Sequence, residues 1–427
     1  MAKRMLFKSA VAVLLIFLLG VALFLVRHSS QPVAGYDRDL VVPLPAAAGD
    51  TTFESLYALI GDTLGKEYRN HSNCQFSEPH SEVCMSFLKA GRPTIKKLEE
   101  WLATKAGRGL SKPTDLGRRG RVKLPEPSYW AELPDYSRFI ALSKFLLVDS
   151  AAAFREGKTS LAIDRLKEVA MLGDFLTQNP ILVQLMIAHV IEAQTMQVIA
   201  NYAPMRVNPS VLESLIPDAK TLIEANRIAM GSEWLSFRNY ATGFIRRYPP
   251  STYGSNMRLV MIEHWLASFT VSPKNLFPAG AHVFRWYQER ADRPKLGKKV
   301  LEADYDAMWN AYAKSELSVL DRVWTHFLTP NLSPFVPYMS RTGHTIDKIE
   351  ATRLVLAARR YRVEKKVWPG KPEDLAPKYI QPWPVSRIDG NLLHVDWKAK
   401  RVELPSETGE GACTGQCDFP FEPQERR

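Results

Sequence analysis

Apolar residues recur every three to four positions over most of the chain, a period that gathers them on one side of an α-helix. The clearest run starts at Leu133-Pro134-Asp135 and places Phe139, Leu142, Phe145, Leu146 and Ala153 on a helix that Gly157-Lys158 ends. Leu161, Ile163, Leu166, Val169 and Leu172 predict a second helix, and Asn179-Pro180 opens a third carrying Leu182, Leu185, Met186, Val190 and Ile191. Helices joined by such short connections pack antiparallel.

Upstream, Asp50, Thr51 and Thr52 signal a helix start, followed by Phe53, Leu56, Tyr57 and Ile60 at helical spacing. A Cys/His/Pro loop comes next, then a short helix near residues 80–90 and another opened by Pro93 and running to about Thr104. Downstream, helices are expected from Pro209 to about Arg246 with breaks near Pro217 and Gly231, and over Met257–Phe269 and Ala281–Ala291. Val300–Leu328 predicts a strong amphipathic helix whose Trp309, Tyr312, Leu317, Leu320 and Trp324 read as core before they read as a partner-binding face. Asp347–Lys366 predicts one more helix. Leu392–Val395 and Arg401–Leu404 then predict a β-hairpin around Trp397–Lys400.

One segment is apolar without any period. Ser9–Val26 is uncharged, follows Lys3, Arg4 and Lys8, and is closed by Arg27. At 1.5 Å per residue it approaches the roughly 20 residues needed to cross a bilayer, and three cations ahead of it favour a cytoplasmic N-terminus. A cleaved signal peptide with Val33-Ala34-Gly35 as its site is the competing reading, but the apolar core is longer than such peptides use. No later stretch reads as apolar enough to span. The expectation is a single-pass anchor in a bacterial inner membrane, residues 9–26 within the lipid and the bulk of the chain in the periplasm.

The organisation expected is therefore an anchor at residues 1–27, a Pro/Ala-rich spacer at 28–50, and a small helical region at 51–105. A basic Gly/Pro-rich linker at 106–133, an α-helical body at 134–330 and a C-terminal helix plus β-hairpin module at 331–427 complete it. The fold class is mainly α with a small α+β tail.

Charge fits this picture. The net +11 is concentrated in residues 1–27 and in 104–123, leaving the remainder almost neutral. A nucleic-acid binder needs a basic stripe on a folded face with aromatics interleaved, so nucleic acid is not an expected partner. Four cysteines fall in two close pairs, Cys74 with Cys84 and Cys413 with Cys417, and an oxidising compartment favours disulfides among them. Local closure of each pair is the simplest of three pairings. Zinc held by His71, Cys74, His80 and Cys84 is the alternative, though their spacing matches no finger or ribbon.

Two resemblances follow. The stretch AAAFREGKTSLAIDRLKEVA resembles the turn of a tetratricopeptide-type hairpin, with Gly157 in the turn, Ala162 at the small packing position and Leu166 in the groove; only one such unit is present, so no array is implied. The run LAARRYRVEKKVWPGKPEDLAPKYIQPWPVSRIDGNLLHVD, within residues 346–404, resembles a C-terminal module of bacterial membrane-anchored proteins and, more distantly, of pseudopilins. In pseudopilins the helix continues directly from the membrane segment, whereas here the whole helical body intervenes. No acidic cluster for a calcium loop surrounds Asp389.

Candidate chemistry is thin. Ala152-x4-Gly157-Lys158-Thr159 fits a permissive phosphate-loop spacing, but the intervening AFRE is bulky and helical where a glycine-rich strand-to-helix loop is required, so no nucleotide is expected. Ser86-x-x-Lys89 with Arg341-Thr342-Gly343 invites a serine acyltransferase reading, which lacks its third polar triplet and has Arg where Lys belongs. His189-x-x-Glu192 and Glu263-His264 offer metal ligands without the paired Glu-x-x-His arrangement. No residue set specifies a reaction, cofactor or metal. The leading expectation is a non-enzymatic scaffold or adaptor contacting other envelope proteins, with an envelope hydrolase of glycan or peptide as the alternative.

Overall fold

The turn at Gly157 organises the body. In the computed structural model, Ser137–Arg155 and Thr159–Thr177 are helices separated by three residues. Gly157 has φ +79°, the Gly157 N–H donates to Phe154 O and the Lys158 N–H to Ala153 O at 2.8 Å. This paired closure satisfies the last carbonyls of the first helix and reverses the chain, and it needs a residue that tolerates the left-handed conformation. Ala162 and Leu166 are buried just beyond it.

The structure describes residue 40 and residues 52–102, 136–177, 181–239, 273–317, 335–405 and 418–423. The expected anchor at 1–27, the basic linker, the Met257–Phe269 helix, Glu263, His264, Leu320, Trp324, Cys413 and Cys417 lie outside the described residues. In chain order the helices are α1 (Thr52–Asn70), α2 (Glu82–Leu102), α3 (Ser137–Arg155), α4 (Thr159–Thr177), α5 (Leu182–Tyr202), α6 (Pro209–Glu213), α7 (Ala219–Asn239), α8 (Pro273–Ala291), α9 (Lys298–Glu316), α10 (Phe335–Lys365) and α11 (Pro372–Leu375). Strands β1 (His394–Asp396), β2 (Arg401–Glu403) and β3 (Asp418–Pro420) form one antiparallel sheet in the order β1-β2-β3, with Val395 opposite Val402 and Val402 opposite Phe419. The chain is mainly helical.

Helices α3, α4 and α5 pack on one another, α1 and α2 cover α3, and α10 runs across α5 and α7. At Gly91 of α2 an added Cβ would overlap the Phe145 ring, so that glycine sets how closely α2 meets α3. Each fully buried Leu or Phe of this interior contributes about 2 kcal/mol.

Several expectations are corrected. Pro93 does not open a helix but lies inside α2, which is continuous. Gly231 is likewise inside α7. Helix α8 begins at Pro273, ahead of Ala281. Helix α9 ends at Glu316, where Leu317 turns extended; only Leu301 and Tyr305 of α9 are buried, and Trp309 and Tyr312 are half-buried on its surface. Helix α10 begins at Phe335, well before Asp347. By length and composition α5 is apolar enough to cross a membrane, contrary to the expectation that no later stretch is; 67% of its apolar window is buried within the body. A helix apolar all round is the signature of a central core position as much as of a membrane span. Finally, β3 adds a strand to the expected hairpin.

Two buried polar side chains of α10, Arg359 and Asp347, help to seat the segment that follows it. Arg359 of α10, 2% exposed, donates to Ala200 O at 2.6 Å, Ala203 O at 3.1 Å, Ile199 O at 3.4 Å and Phe421 O at 2.9 Å. It thereby caps the last carbonyls of α5 and holds the chain just after β3. Burial lowers its pKa to about 10, which leaves it charged at neutral pH. Asp347, also on α10, accepts from Ser386 Oγ and from the Arg387 N–H, each at 2.6 Å, fixing the Ser386–Gly390 turn against the helix.

Candidate functional site

Three polar features stand out among the described residues. The first is interior. His189 of α5 faces Thr342 of α10 (Nδ1 to Oγ1, 3.5 Å), Asn226 of α7 donates to the same hydroxyl at 3.0 Å, and the imidazole stacks on Tyr338. Burial lowers the His189 pKa to about 3, so the ring is neutral, and its Nε2 has no hydrogen-bond partner. Glu192 faces α4 instead, against Gly173, and lines a cavity of about 50 Å³ with Asp174, Thr195 and Ser214. Burial raises Glu192 well above the usual carboxylate range and Asp174 to about 6. His189 and Glu192 therefore do not converge on one ligand, and no group of three or more His, Cys, Asp or Glu side chains among the described residues can hold a metal ion. Thr342 is sealed in this core, on a helix, so Arg341-Thr342-Gly343 supplies no substrate-facing strand.

The second feature is the Cys74–Cys84 disulfide loop between α1 and α2, with Cα atoms 4.8 Å apart. The local pairing expected for these two cysteines is the one formed, and it removes both thiolates from the zinc alternative. Closing the loop brings His71, at the end of α1, against Ser86 on α2. His71 Nε2 lies 3.1 Å from Ser86 Oγ, while Nδ1 lies 2.9 Å from Glu67 O and 3.4 Å from Glu67 Oε2. With Nδ1–H donating to Glu67, Nε2 is left as acceptor for the Ser86 hydroxyl. Ser86 and Lys89 share one wall of a cleft of about 640 Å³ between α2, α3 and the start of α4, with Met85, Leu88, Ala152 and Leu161 giving it apolar surface. Beneath it, Asp149 binds Arg92 (2.7 and 3.0 Å) and Arg165 (3.0 Å), and Arg165 also binds Glu99 and Glu168. The Ser86-x-x-Lys89 spacing thus meets a histidine and not the expected second motif.

The third is a groove of about 780 Å³ where the α3–α4 turn, the end of α5 and the C-terminal module meet. Arg155, Arg206 and Arg362 line it with Tyr202, Trp368 and Glu422. Arg155 lies 5.3 Å over the Tyr202 ring and donates to Ser77 O; Arg206 donates to Gly157 O; Arg362 lies 5.8 Å from the Trp368 ring. Trp368 Nε1 donates to Glu422 at 2.8 Å, which Lys400 also approaches at 3.3 Å. Part of this positive charge offsets the carbonyl ends of α3 and α10, but three guanidinium groups against one carboxylate leave the groove basic. The residues of the phosphate-loop spacing, Ala152–Thr159, form its helix end and turn, with no strand.

Sequence reasoning missed both surface features. Arg155 comes from α3, Arg206 from the loop between α5 and α6 and Arg362 from α10, while His71 and Ser86 meet across the loop that the disulfide closes. No family model matches the chain, and no curated protein or solved structure matches it.

Proposed function

We propose that the protein is a membrane-anchored adaptor of the bacterial envelope, residues 9–26 spanning the inner membrane and the helical body in the periplasm, whose basic groove receives an acidic segment of an envelope protein. The observation that carries this reading is the groove itself: Arg155 set over Tyr202, Arg362 near Trp368, and Arg206 beside them. Guanidinium groups form paired hydrogen bonds with carboxylates, and their approach to aromatic rings keeps them oriented. The Cys74–Cys84 disulfide and the pseudopilin-like run in residues 346–404 support the envelope address.

A photo-crosslinker at Met205, on the groove wall, tests it in intact cells. The expected result is a discrete adduct with a periplasmic or inner-membrane protein, lost in the Arg155→Glu/Arg362→Glu variant, together with activity of alkaline phosphatase fused after Arg427. Adducts unchanged by the charge reversal, or a fusion active only as a cytosolic reporter, would remove the reading.

A further inference from the structure

We propose that Ser86 is an acyl-accepting nucleophile, with His71 as its general base and Glu67 orienting the imidazole, and that the adjoining cleft takes neutral carboxylic esters with an apolar acyl group. The geometry carries this. Ser86 Oγ and His71 Nε2 are within hydrogen-bond distance at 3.1 Å, and the other ring nitrogen is held by Glu67 on its far side, so nucleophile, base and orienting group stand in line. Ser86 is exposed and opens onto the cleft, while His71 and Glu67 keep only 18% and 27% of their side-chain surface in solvent.

A hydrogen bond that merely pinned the loop to α2 would duplicate a covalent tie already present. Cys84 is two residues before Ser86, and Cys74 three after His71. What the disulfide adds is rigidity, which a base needs if its nitrogen is to stay on the hydroxyl.

The cleft indicates the substrate. Its cations Lys89, Arg92 and Lys158 are matched by Glu82, Asp149 and Glu156, so a polyanion gains nothing there. Its apolar lining, Met85, Leu88, Ala152 and Leu161, suits a short acyl chain. In the reaction Ser86 Oγ bonds to the ester carbonyl carbon as its proton passes to His71 Nε2, giving a tetrahedral oxyanion. The C–O bond to the alcohol then breaks and His71 returns the proton to the departing oxygen. Water, deprotonated by the same nitrogen, cleaves the acyl-serine, releasing the carboxylic acid and restoring Ser86.

This activity is independent of the basic groove, and either can fail alone. The test uses the full chain in detergent micelles with a fluorophosphonate probe and p-nitrophenyl butyrate. The expected result is a single adduct mapped to Ser86 by mass spectrometry, absent in Ser86→Ala, with ester hydrolysis lost in that variant and slowed about 100-fold or more in His71→Ala. Ser86→Ala removes one exposed oxygen and so keeps the test valid even if His71→Ala loosens the loop. An unlabelled wild-type protein, an adduct at another residue, or Ser86→Ala hydrolysing at the wild-type rate would overturn the proposal, as would a folded His71→Ala labelled at full speed.

Discussion

The α3–α4 hairpin and the C-terminal module are both fastened to α5 or its neighbours, but by opposite means. The hairpin buries a continuous apolar face, Phe139, Leu142, Phe145, Leu146, Leu166 and Val169 among it, so its attachment is spread over many small contributions. The module's Val395, Val402 and Phe419 pack as well, and backbone bonds from Leu296 and Gly297 reach Arg387 and Ile388, yet much of its seating along α10 is concentrated in two buried side chains: Arg359 donates to four carbonyls, and Asp347 accepts from Ser386 Oγ and the Arg387 N–H. A spread interface tolerates the loss of one member. A buried group that serves several partners at once is less forgiving, because each abandoned partner must then remain desolvated without a hydrogen bond.

The largest effect should come from breaking that joint. Arg359→Ala leaves the carbonyls of Ile199, Ala200, Ala203 and Phe421 without their donor, and a stability loss of about 3–5 kcal/mol is expected. Chemical denaturation of the full chain in detergent micelles, in its disulfide-bonded state, measures it. A loss below about 1 kcal/mol would show that packing alone seats the module and would erase the contrast.

That contrast also explains what the sequence discloses. The hairpin was legible because its information is periodic: Phe139 through Leu172 repeat at helical spacing and Gly157 marks the reversal. The start of α10 was not, since Thr342, Gly343, His344 and Thr345 are weak helix formers. Tertiary packing, Gly343 against Leu296 and Ile388, holds them helical, while the hydroxyls of Thr342 and Thr345 are satisfied by carbonyls four residues back. Arg359 reads as one more basic residue in an amphipathic helix; nothing local announces partners some 160 positions away. The candidate sites share this property. The thiol pair at Cys74 and Cys84 was visible, whereas the meeting of His71 with Ser86 follows from the loop that pair closes, and the groove arginines are brought together by tertiary packing alone.

An intermediate effect sharpens the comparison through pH. Burial raises Asp347 from the ordinary aspartate value to about 7, even though Ser386 and the Arg387 N–H favour its charged form. Between the unfolded and folded values the folded chain holds more protons, so stability from this group is present in mild acid and lost as pH rises toward 7. Glu233, raised to about 7, and Asp174, raised to about 6, act in the same direction. His189, held near 3 by burial, opposes them up to its ordinary value, but the three acids outnumber it, so melting temperature should fall between pH 5 and pH 7. In Asp347→Asn the slope should flatten by at most about 1.4 kcal/mol per pH unit, the limit for one proton. An unchanged slope would place the proton uptake elsewhere.

The smallest effect tests the hairpin at its most exacting residue. Gly157→Ala forces a Cβ into a backbone with φ +79°, and the new atom meets the Arg206 guanidinium at 3.3 Å. A left-handed Ala costs about 1 kcal/mol, and the Arg206 end is flexible enough to give way. Because the apolar face of α3 and α4 is untouched, the hairpin should persist with helix content unchanged and only the two turn hydrogen bonds weakened, which hydrogen exchange at Gly157→Ala and Lys158 N–H reads directly. If this substitution proved as damaging as Arg359→Ala, the turn and not the buried face would be holding the hairpin, and the two regions would be fastened alike.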